Sequence, residues 1–218
     1  MAPAARKTRK NSPRARDRDA TEQTILEAAK RVLAKEGFQN FGVNAIARVA
    51  ACDKQLIYRY FDGLDGLLDR IGEDIGGWIR QRLRPLAALG RPATYAELTE
   101  RLMLGFLEAL RDDALVQRIA AWELAEDSPR VRRLAAARSK ALTDWVRDMR
   151  GDLEPPSGID AAANNAFLIA AIQHLVLAAA TTGQFTGLAL RSEADWERVR
   201  ETVKRTVRAL YALPGKAR

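Results

Sequence analysis

The 218-residue chain has a single cysteine, Cys52, and a single histidine, His174. One cysteine excludes an intrachain disulfide and a Cys-x-x-Cys metal cluster, and one histidine excludes a multi-histidine metal site. Aromatic residues make up only 6% of the chain, and the longest unbroken apolar run covers residues 166–172. A membrane-spanning helix needs roughly 20 apolar residues. We therefore expect no metal, no cofactor and no membrane as a partner.

Catalytic residues are also scarce. A Ser-His-Asp arrangement or an acid–base pair would have to use His174, which lies in an Ala-rich apolar stretch, together with a carboxylate such as Glu108 or Glu123. No spacing of a nucleophile and a base supports such a site. The sequence therefore predicts that the chain is not an enzyme.

The charge of the chain is unevenly distributed. Lys and Arg outnumber Asp and Glu by 36 to 28, and residues 1–19 alone hold seven basic and two acidic side chains. This segment has no apolar face to bury, so we expect residues 1–18 to form a disordered basic arm. A basic arm beside a folded domain is typical of proteins that bind nucleic acid. The alternative is a solvated tail that only aids solubility.

The rest of the chain shows helical periodicity. The first helix is predicted to begin at Asp19, with Glu22 completing a capping box, and to end at Gly37. Two short helices follow at 43–50 and 54–61, and a fourth is predicted to run from a cap at Asp62 towards Pro85.

Further helix starts are marked by capping residues. These are Thr94 with Glu97, Ser128 before Pro129, Ser157 with Asp160, and Ser192 with Asp195. No stretch alternates with period two for the length of a strand. The predicted fold is all-α with about nine helices, divided into a helix-turn-helix domain at 19–68 and a C-terminal helical domain at 69–218.

The two short helices have the size of a helix-turn-helix motif. Periodicity places four side chains on the outer face of the second helix, namely Lys54, Gln55, Tyr58 and Arg59. Lys and Arg bind guanine edges or phosphates, Gln binds adenine, and a Tyr hydroxyl binds a phosphate oxygen. Leu56 lies beside this face, where it either reads a thymine methyl group or packs against the first short helix.

The stretch from Gly37 to Leu68 resembles the DNA-binding region of TetR-family regulators. The resemblance rests on Gly37-Phe38, on residues 43–47 and 50–61, and on Leu67-Leu68, over about 32 residues without a gap. It implies that Lys54, Gln55 and Leu56 face bases, that Tyr58 and Tyr60 bind phosphates, and that Arg59 can do either. Gly42 and Val43, at the start of the first short helix, complete the predicted DNA-binding set.

The sequence departs from the family pattern at three positions. Gly42 replaces a Thr whose hydroxyl contacts phosphate, Ala51 replaces the turn glycine, and Leu64 replaces a phosphate-binding Lys. Residues 20–68 hold six basic and six acidic side chains, so this unit is neutral. We hypothesise that the N-terminal arm supplies the missing attraction by entering an adjacent minor groove, as homeodomain arms do.

The last two predicted helices suggest an interface. Residues 161–181 are apolar on nearly every side, which is typical of a helix without a solvent-exposed face. The final helix, Ser192 to Leu213, has a Val and Leu stripe opposed by basic residues, Arg198, Arg200, Lys204 and Arg208. Together with the resemblance, this pattern predicts a homodimer held by a four-helix interface, which presents two reading helices to successive major grooves.

The resemblance also implies a small-molecule cavity whose occupancy alters the spacing of the two DNA-binding domains. Its candidate lining residues are Trp78, Met103, Phe106, Trp122, Glu123, Trp145, Phe167 and His174. The ordinary interpretation is that the apolar members belong to the core, that His174 lies in the core or an interface, and that Glu123 is solvated. Glu123 would recognise a cation if it points inward.

These observations predict a cytoplasmic, nucleoid-associated bacterial regulator that responds to a ligand. In this hypothesis a homodimer represses transcription by binding a palindromic operator in double-stranded DNA, and a small-molecule effector releases it. The alternative is a basic architectural protein that binds DNA without sequence choice.

Overall fold

The computed structural model describes residues 13–211, without the side chains of residues 13–16, 87, 141, 145 and 148. Within them the chain forms nine α-helices, a 3-10 helix and a short hairpin, which confirms the all-α class. The helices are α1 (Pro13–Glu36), α2 (Val43–Ala50), α3 (Lys54–Phe61), α4 (Leu64–Leu83), α5 (Tyr95–Arg111), α6 (Ala114–Ala125), α7 (Pro129–Arg150), α8 (Ala161–Thr181) and α9 (Glu193–Leu210). The 3-10 helix is Arg84–Leu89, and the strands are β1 (Gln184–Phe185) and β2 (Leu188–Ala189).

Helix α1 begins at Pro13 and not at Asp19. Proline suits the first helical position, where its fixed φ is helical and its missing N–H needs no partner. The Ala and Arg residues that follow are good helix formers. The prediction of a disordered arm is therefore wrong for residues 13–18, while residues 1–12 lie outside the described part of the chain.

Two other predicted helix starts are wrong. Asp62 does not cap α4, because it adopts a left-handed φ of 57° at the end of α3, and α4 begins at Leu64. Ser157 and Asp160 do not form a capping box, because Asp160 itself is the N-cap of α8 and accepts a hydrogen bond from the Ala163 N–H.

The remaining caps form. Thr94 accepts a hydrogen bond from the Glu97 N–H at 3.1 Å, although the Glu97 carboxylate bonds to the Ala93 N–H rather than to that of Thr94. Ser128 caps α7, and Ser192 and Asp195 form the full capping box of α9.

A continuous hydrophobic core joins the N-terminal helices to the rest of the molecule. In α1, Ile25, Leu26 and Leu33 are fully buried, and they share this core with Ile46 of α2 and Ile57 of α3. Helix α4 packs along α7, and α5 packs against both α8 and α9. The helix-turn-helix thus shares one hydrophobic core with the C-terminal helices.

Helix α9 turns its apolar stripe inward. Trp196, Val199, Val203 and Val207 are buried, and α9 packs on α5. Arg200 lies 2.7 Å from Glu108 of α5, and Arg208 lies 2.9 Å from Glu100 of the same helix. These two ion pairs therefore connect α9 to α5. The sequence instead predicts that both arginines lie opposite the packed side of α9.

Helix α8 buries one side only. Leu168, Ile172 and Val176 are buried, whereas the opposite side exposes mainly apolar residues, among them Ala163, Ala166, Phe167, Ile169 and Ala170. By length and composition alone this helix could cross a membrane, but its three buried residues belong to the core. No other described element of the single chain covers the outer side of α8, which is the side that the sequence predicts a second copy to cover.

The hairpin between α8 and α9 was not predicted. Strands β1 and β2 pair antiparallel, with Gln184 opposite Ala189 and Phe185 opposite Leu188. Both turn residues, Thr186 and Gly187, have positive φ, as a two-residue hairpin turn of type I′ requires. Strands of two residues are too short to show an alternating pattern.

Candidate nucleic-acid interface

Helices α2 and α3 are amphipathic, and each buries one side. Ile46 and Ala50 of α2 and Ile57 and Phe61 of α3 are buried in the common core. A side chain on a helix is followed on the same face by those three and four residues later. Burial of positions 57 and 61 therefore turns the intervening polar positions of α3 outward.

The turn between these helices is tightly fixed. The Asp53 carboxylate caps α3 by accepting a hydrogen bond from the Gln55 N–H at 2.8 Å. Ala51 ends α2 in the left-handed conformation, with φ 50° and ψ 45°, and the Cys52 N–H bonds to the Ala47 carbonyl at 3.0 Å. The turn therefore reaches the conformation that glycine favours although alanine occupies the position.

The four side chains predicted for the outer face of α3 are all exposed. Lys54, Gln55 and Arg59 are exposed, and Tyr58 is 58% exposed. Leu56 is half-buried and packs against the core, which favours packing over base contact for this residue. Together the exposed groups offer two cations, an amide and a phenol on one helix of eight residues.

The other predicted contact residues lie at the edges of this face. Gly42 is the N-cap of α2 and makes no side-chain capping bond, and Val43 is half-buried. Leu64 stands at the start of α4 and packs against the core. Tyr60 is half-buried, with the guanidinium groups of Arg18 and Arg59 within 6 Å of its ring.

The cations of the first three helices are largely free of carboxylates. Lys30 pairs with Glu27 and Asp74. Among the residues that the structure describes, no ion pair is found for the other basic groups of helices α1–α3 from position 17 on, which are Arg18, Arg31, Lys35, Arg48, Lys54 and Arg59. Residues 20–68 are formally neutral, but most of their basic side chains are not paired with a carboxylate and remain available to an external anion.

Three side chains from the C-terminal domain bond to the end of α1 and to the loop between α1 and α2. The Trp122 indole N–H donates to the Ala34 carbonyl at 3.2 Å, and the Glu126 carboxylate accepts from the Phe38 N–H at 3.2 Å. The Arg130 guanidinium donates to the carbonyls of Phe38 and Phe41 at 3.2 and 3.3 Å.

This contact is close because of a glycine. Gly37 has a φ of +73°, and a Cβ placed there would lie 2.9 Å from Glu126 Oε1 and 3.1 Å from the Trp122 ring. Movement at the end of α6 or the start of α7 would therefore displace the adjoining part of the DNA-binding domain. Sequence reasoning missed Glu126 and Arg130, because their partners lie about 90 positions away.

The predicted effector-binding residues are spread over several surroundings. Met103 is buried in the core, and Trp78 and Phe106 are half-buried against it. Phe167 is 68% exposed, and His174 lies at the surface of α8, its ring 4.4 Å from that of Phe185. The Trp145 side chain lies outside the described residues. The described members of the set therefore lie in the core, on the surface of α8 and, for Trp122, against α1, and their role in binding an effector stays a prediction.

Glu123 points inward. Its side chain is only 7% exposed and pairs with Arg138 of α7. Burial raises the pKa of this carboxyl, and the neighbouring Arg138 acts in the opposite direction. One of its oxygens, Oε1, is buried and finds no hydrogen-bond partner among the described residues.

Two surface clefts are lined by other residues. A cleft of about 300 Å³ lies between α1 and α2, and one of about 630 Å³ lies between α4 and α7. Their walls hold none of the eight predicted residues; they comprise Arg31, Val32, Lys35, Glu36, Arg48 and Val49 in the first, and Asp69, Glu73, Arg80, Arg133, Ala136, Ala137, Lys140 and Asp144 in the second.

The fold and this exposed helix define a helix-turn-helix protein with a C-terminal helical domain. Residues 25–71 match the model of the family described as bacterial regulatory proteins, tetR family. This match covers the helix-turn-helix, and these residues are similar to the TetR family of bacterial transcriptional regulators.

Two curated relatives are described as helix-turn-helix transcriptional regulators. The HTH-type transcriptional repressor NicS of Pseudomonas putida is 37% identical over 68 residues, which are 31% of this chain and 32% of NicS. An uncharacterised HTH-type transcriptional regulator of Mycobacterium tuberculosis is 28% identical over 110 residues, or 50% of this chain and 51% of the relative. The chain thus matches about half the length of these relatives or less.

Solved structures extend the similarity of fold to nearly the whole chain. The transcriptional regulator FadR from Bacillus subtilis, solved in complex with stearoyl-CoA, has a TM-score of 0.60 and 19% identity. The match covers 85% of this chain and 97% of FadR. The C-terminal helices therefore share the fold of such regulators.

Proposed function

We propose that the protein is a homodimeric repressor of transcription that reads a palindromic operator with α3 of each protomer. The proposal rests above all on the exposure of Lys54, Gln55, Tyr58 and Arg59 on one capped helix. Lys54 and Gln55 stand at the N-terminal end of α3, the end that contacts base edges when a recognition helix enters the major groove.

The exposed apolar side of α8 supports the homodimer. A second copy of the same helix would cover Phe167 and Ile169, which are 68% and 40% exposed in the single chain. A two-fold axis through this contact presents two copies of α3 to one face of the duplex. Helix α9 would contribute its outer polar side, because its apolar stripe is already packed on α5.

A small-molecule effector is proposed to release the dimer from DNA. FadR, which shares the fold, was solved with stearoyl-CoA bound. Such an effector must bind the DNA-incompetent arrangement more tightly than the competent one, since equal affinity shifts nothing. The bonds from Trp122 to the end of α1, and from Glu126 and Arg130 to the loop between α1 and α2, offer a route by which movement of α6 or α7 reaches α3.

Selection of bound sites from random DNA tests the proposal, together with replacement of Lys54 or Tyr58 by Ala. We expect a palindromic consensus, and each substitution should weaken binding to it by about 10-fold or more, as loss of a base or phosphate contact does. Arg118→Ala is the matched control, because it removes one exposed positive charge from α6, which carries none of the predicted DNA-binding residues.

The main competing function is non-specific DNA coating by an architectural protein. That function predicts no consensus and uniform protection of DNA in footprinting. If binding survives both Lys54→Ala and Tyr58→Ala in a folded dimer, the proposed reading face is wrong. The proposed site of action is the nucleoid, in the bacterial cytoplasm.

A further inference from the structure

Two arginines from different helices meet on one aromatic ring. The Arg18 guanidinium carbon lies 5.5 Å from the centre of the Tyr60 ring, and that of Arg59 lies 5.7 Å from the same centre. Arg18 belongs to the part of α1 that precedes the predicted helix start, and Arg59 belongs to α3. The helical extension from Pro13 therefore brings a cation of the N-terminal region next to the reading helix.

The arrangement concentrates positive charge without a protein anion to neutralise it. Among the side chains that the structure describes, neither arginine has a carboxylate partner, whereas Arg200 of α9 binds Glu108, Glu193 and Glu197. A cation–π contact at an exposed site contributes only about 0.5–1 kcal/mol, and two guanidinium groups on one ring repel each other. An anion within reach of both groups would be attracted to each of them.

The ring gives these cations a fixed platform. Tyr60 is half-buried and packs against the hydrophobic core, while Arg18 and Arg59 are exposed. A guanidinium group that stacks on a ring keeps its N–H donors free at its edge, and those donors match the oxygens of a phosphate. The two guanidinium groups near this ring therefore offer donors of the kind that suit a phosphate group.

We propose that Arg18, Tyr60 and Arg59 form a clamp for one backbone phosphate of duplex DNA, beside the groove that α3 enters. Arg59 is on the exposed face of α3, so the phosphate belongs to the same duplex. The clamp supplies attraction that Gly42 and Leu64 do not supply, because neither side chain carries a charge or a hydroxyl. This inference rests on the proposed DNA binding, and it adds Arg18 as a contact residue.

The salt dependence of binding to a mixed-sequence duplex tests the clamp directly. Each phosphate contact adds about 0.9 to the steepness of log K plotted against log salt concentration. Affinity falls between about 50 and 200 mM salt, and the loss of one contact should make that fall about 3.5-fold smaller. We expect this loss for Arg18→Ala. Arg118→Ala, which removes the same charge from α6, should leave the slope unchanged.

Two substitutions of Tyr60 separate the platform from the bare charge. Tyr60→Phe retains the ring, so Arg18→Ala should reduce the slope in that background as it does in the wild type. Tyr60→Leu removes the ring, and Arg18→Ala should then have little further effect. Helix content measured by circular dichroism shows that each variant folds.

The clamp is refuted if Arg18→Ala leaves the slope unchanged in a folded protein, or if its effect is equally large in the Tyr60→Leu background. Either result leaves the proposed regulator intact when selection from random DNA still yields a palindrome. Conversely, a reduced slope without any selected consensus supports the clamp and refutes the sequence-specific reading.

Discussion

At the scale of single residues, the helix-turn-helix contains a conformation that its amino acid disfavours. Ala51 has φ 50° and ψ 45°, and its N–H bonds to the carbonyls of Ala47 and Arg48 at the end of α2. A left-handed conformation costs an L-residue with a Cβ about 1–2 kcal/mol. The rest of the turn, including the Asp53 cap, holds the residue in place.

Ala51→Gly should therefore stabilise the protein by about 0.5–1 kcal/mol, since relief of the left-handed strain outweighs the greater freedom of glycine in the unfolded chain. Urea denaturation followed by circular dichroism measures this change. The matched control is Ala45→Gly, inside α2, which should destabilise by about 0.5–1 kcal/mol. If both substitutions destabilise the protein equally, Ala51 is not strained.

Glu123 is the other residue in an unfavourable setting. Its carboxyl is buried against Arg138, with one oxygen unbonded, and burial raises its pKa above the ordinary 4.5. In the pH range just above 4.5, the Glu123 carboxyl therefore keeps its proton in the folded protein but has lost it in the unfolded chain. Stability contributed by this group consequently falls as the pH rises through that range.

Glu123→Gln is neutral at every pH and removes this dependence. The unfolding free energy of the variant minus that of the wild type should rise as the pH increases from about 4.5. Glu97→Gln provides a control of opposite sign, because hydrogen bonds from Ala93 and Arg101 lower the pKa of Glu97. Urea denaturation at a series of pH values measures both differences, and a difference for Glu123→Gln that does not change with pH contradicts the prediction.

At the scale of elements, local sequence signals define helices better than they define helix ends and contacts. Helices α2 and α3 have the predicted bounds, because capping and apolar spacing lie within eight residues. The start of α4 was misplaced, because the left-handed conformation of Asp62 depends on the end of the preceding helix. The bond between Arg130 and Phe38 spans 92 positions, and no local pattern signals it.

That bond makes the start of α7 a support for the loop between α1 and α2. Arg130→Ala should free the carbonyls of Phe38 and Phe41 and loosen residues 37–42. Hydrogen bonds from a charged donor contribute about 1.5–3 kcal/mol, so amide exchange in this loop should accelerate about 10- to 100-fold. Hydrogen-exchange mass spectrometry measures the effect.

The control for this experiment is Arg132→Ala, which removes an exposed arginine of α7 whose partner is the exposed Asp127. It should leave exchange in residues 37–42 unchanged. Equal protection of the loop in Arg130→Ala and the wild type would show that Trp122 and Glu126 hold it without Arg130.

At the scale of the whole molecule, the single chain leaves its most apolar helix half covered. The sequence predicts that a second copy covers α8, and in the structure the outer side of that helix exposes Phe167 and Ile169. Periodicity could not show which side of α8 would remain free, since nearly all of its positions are apolar. That choice depends on how α5 and α6 pack against it.

Phe167→Glu places a carboxylate in the middle of this side and should dissociate the proposed dimer. An unpaired charge buried in an apolar contact costs several kcal/mol, so the dimer dissociation constant should rise by about 100-fold or more. Leu124→Glu on α6 is the matched control, since Leu124 is 69% exposed and Phe167 is 68% exposed. Sedimentation equilibrium should show monomers for Phe167→Glu and dimers for Leu124→Glu and the wild type.

Because a monomer carries one copy of α3, Phe167→Glu should also lose its preference for a palindrome over a single half-site. A dimer that withstands Phe167→Glu would place the interface elsewhere.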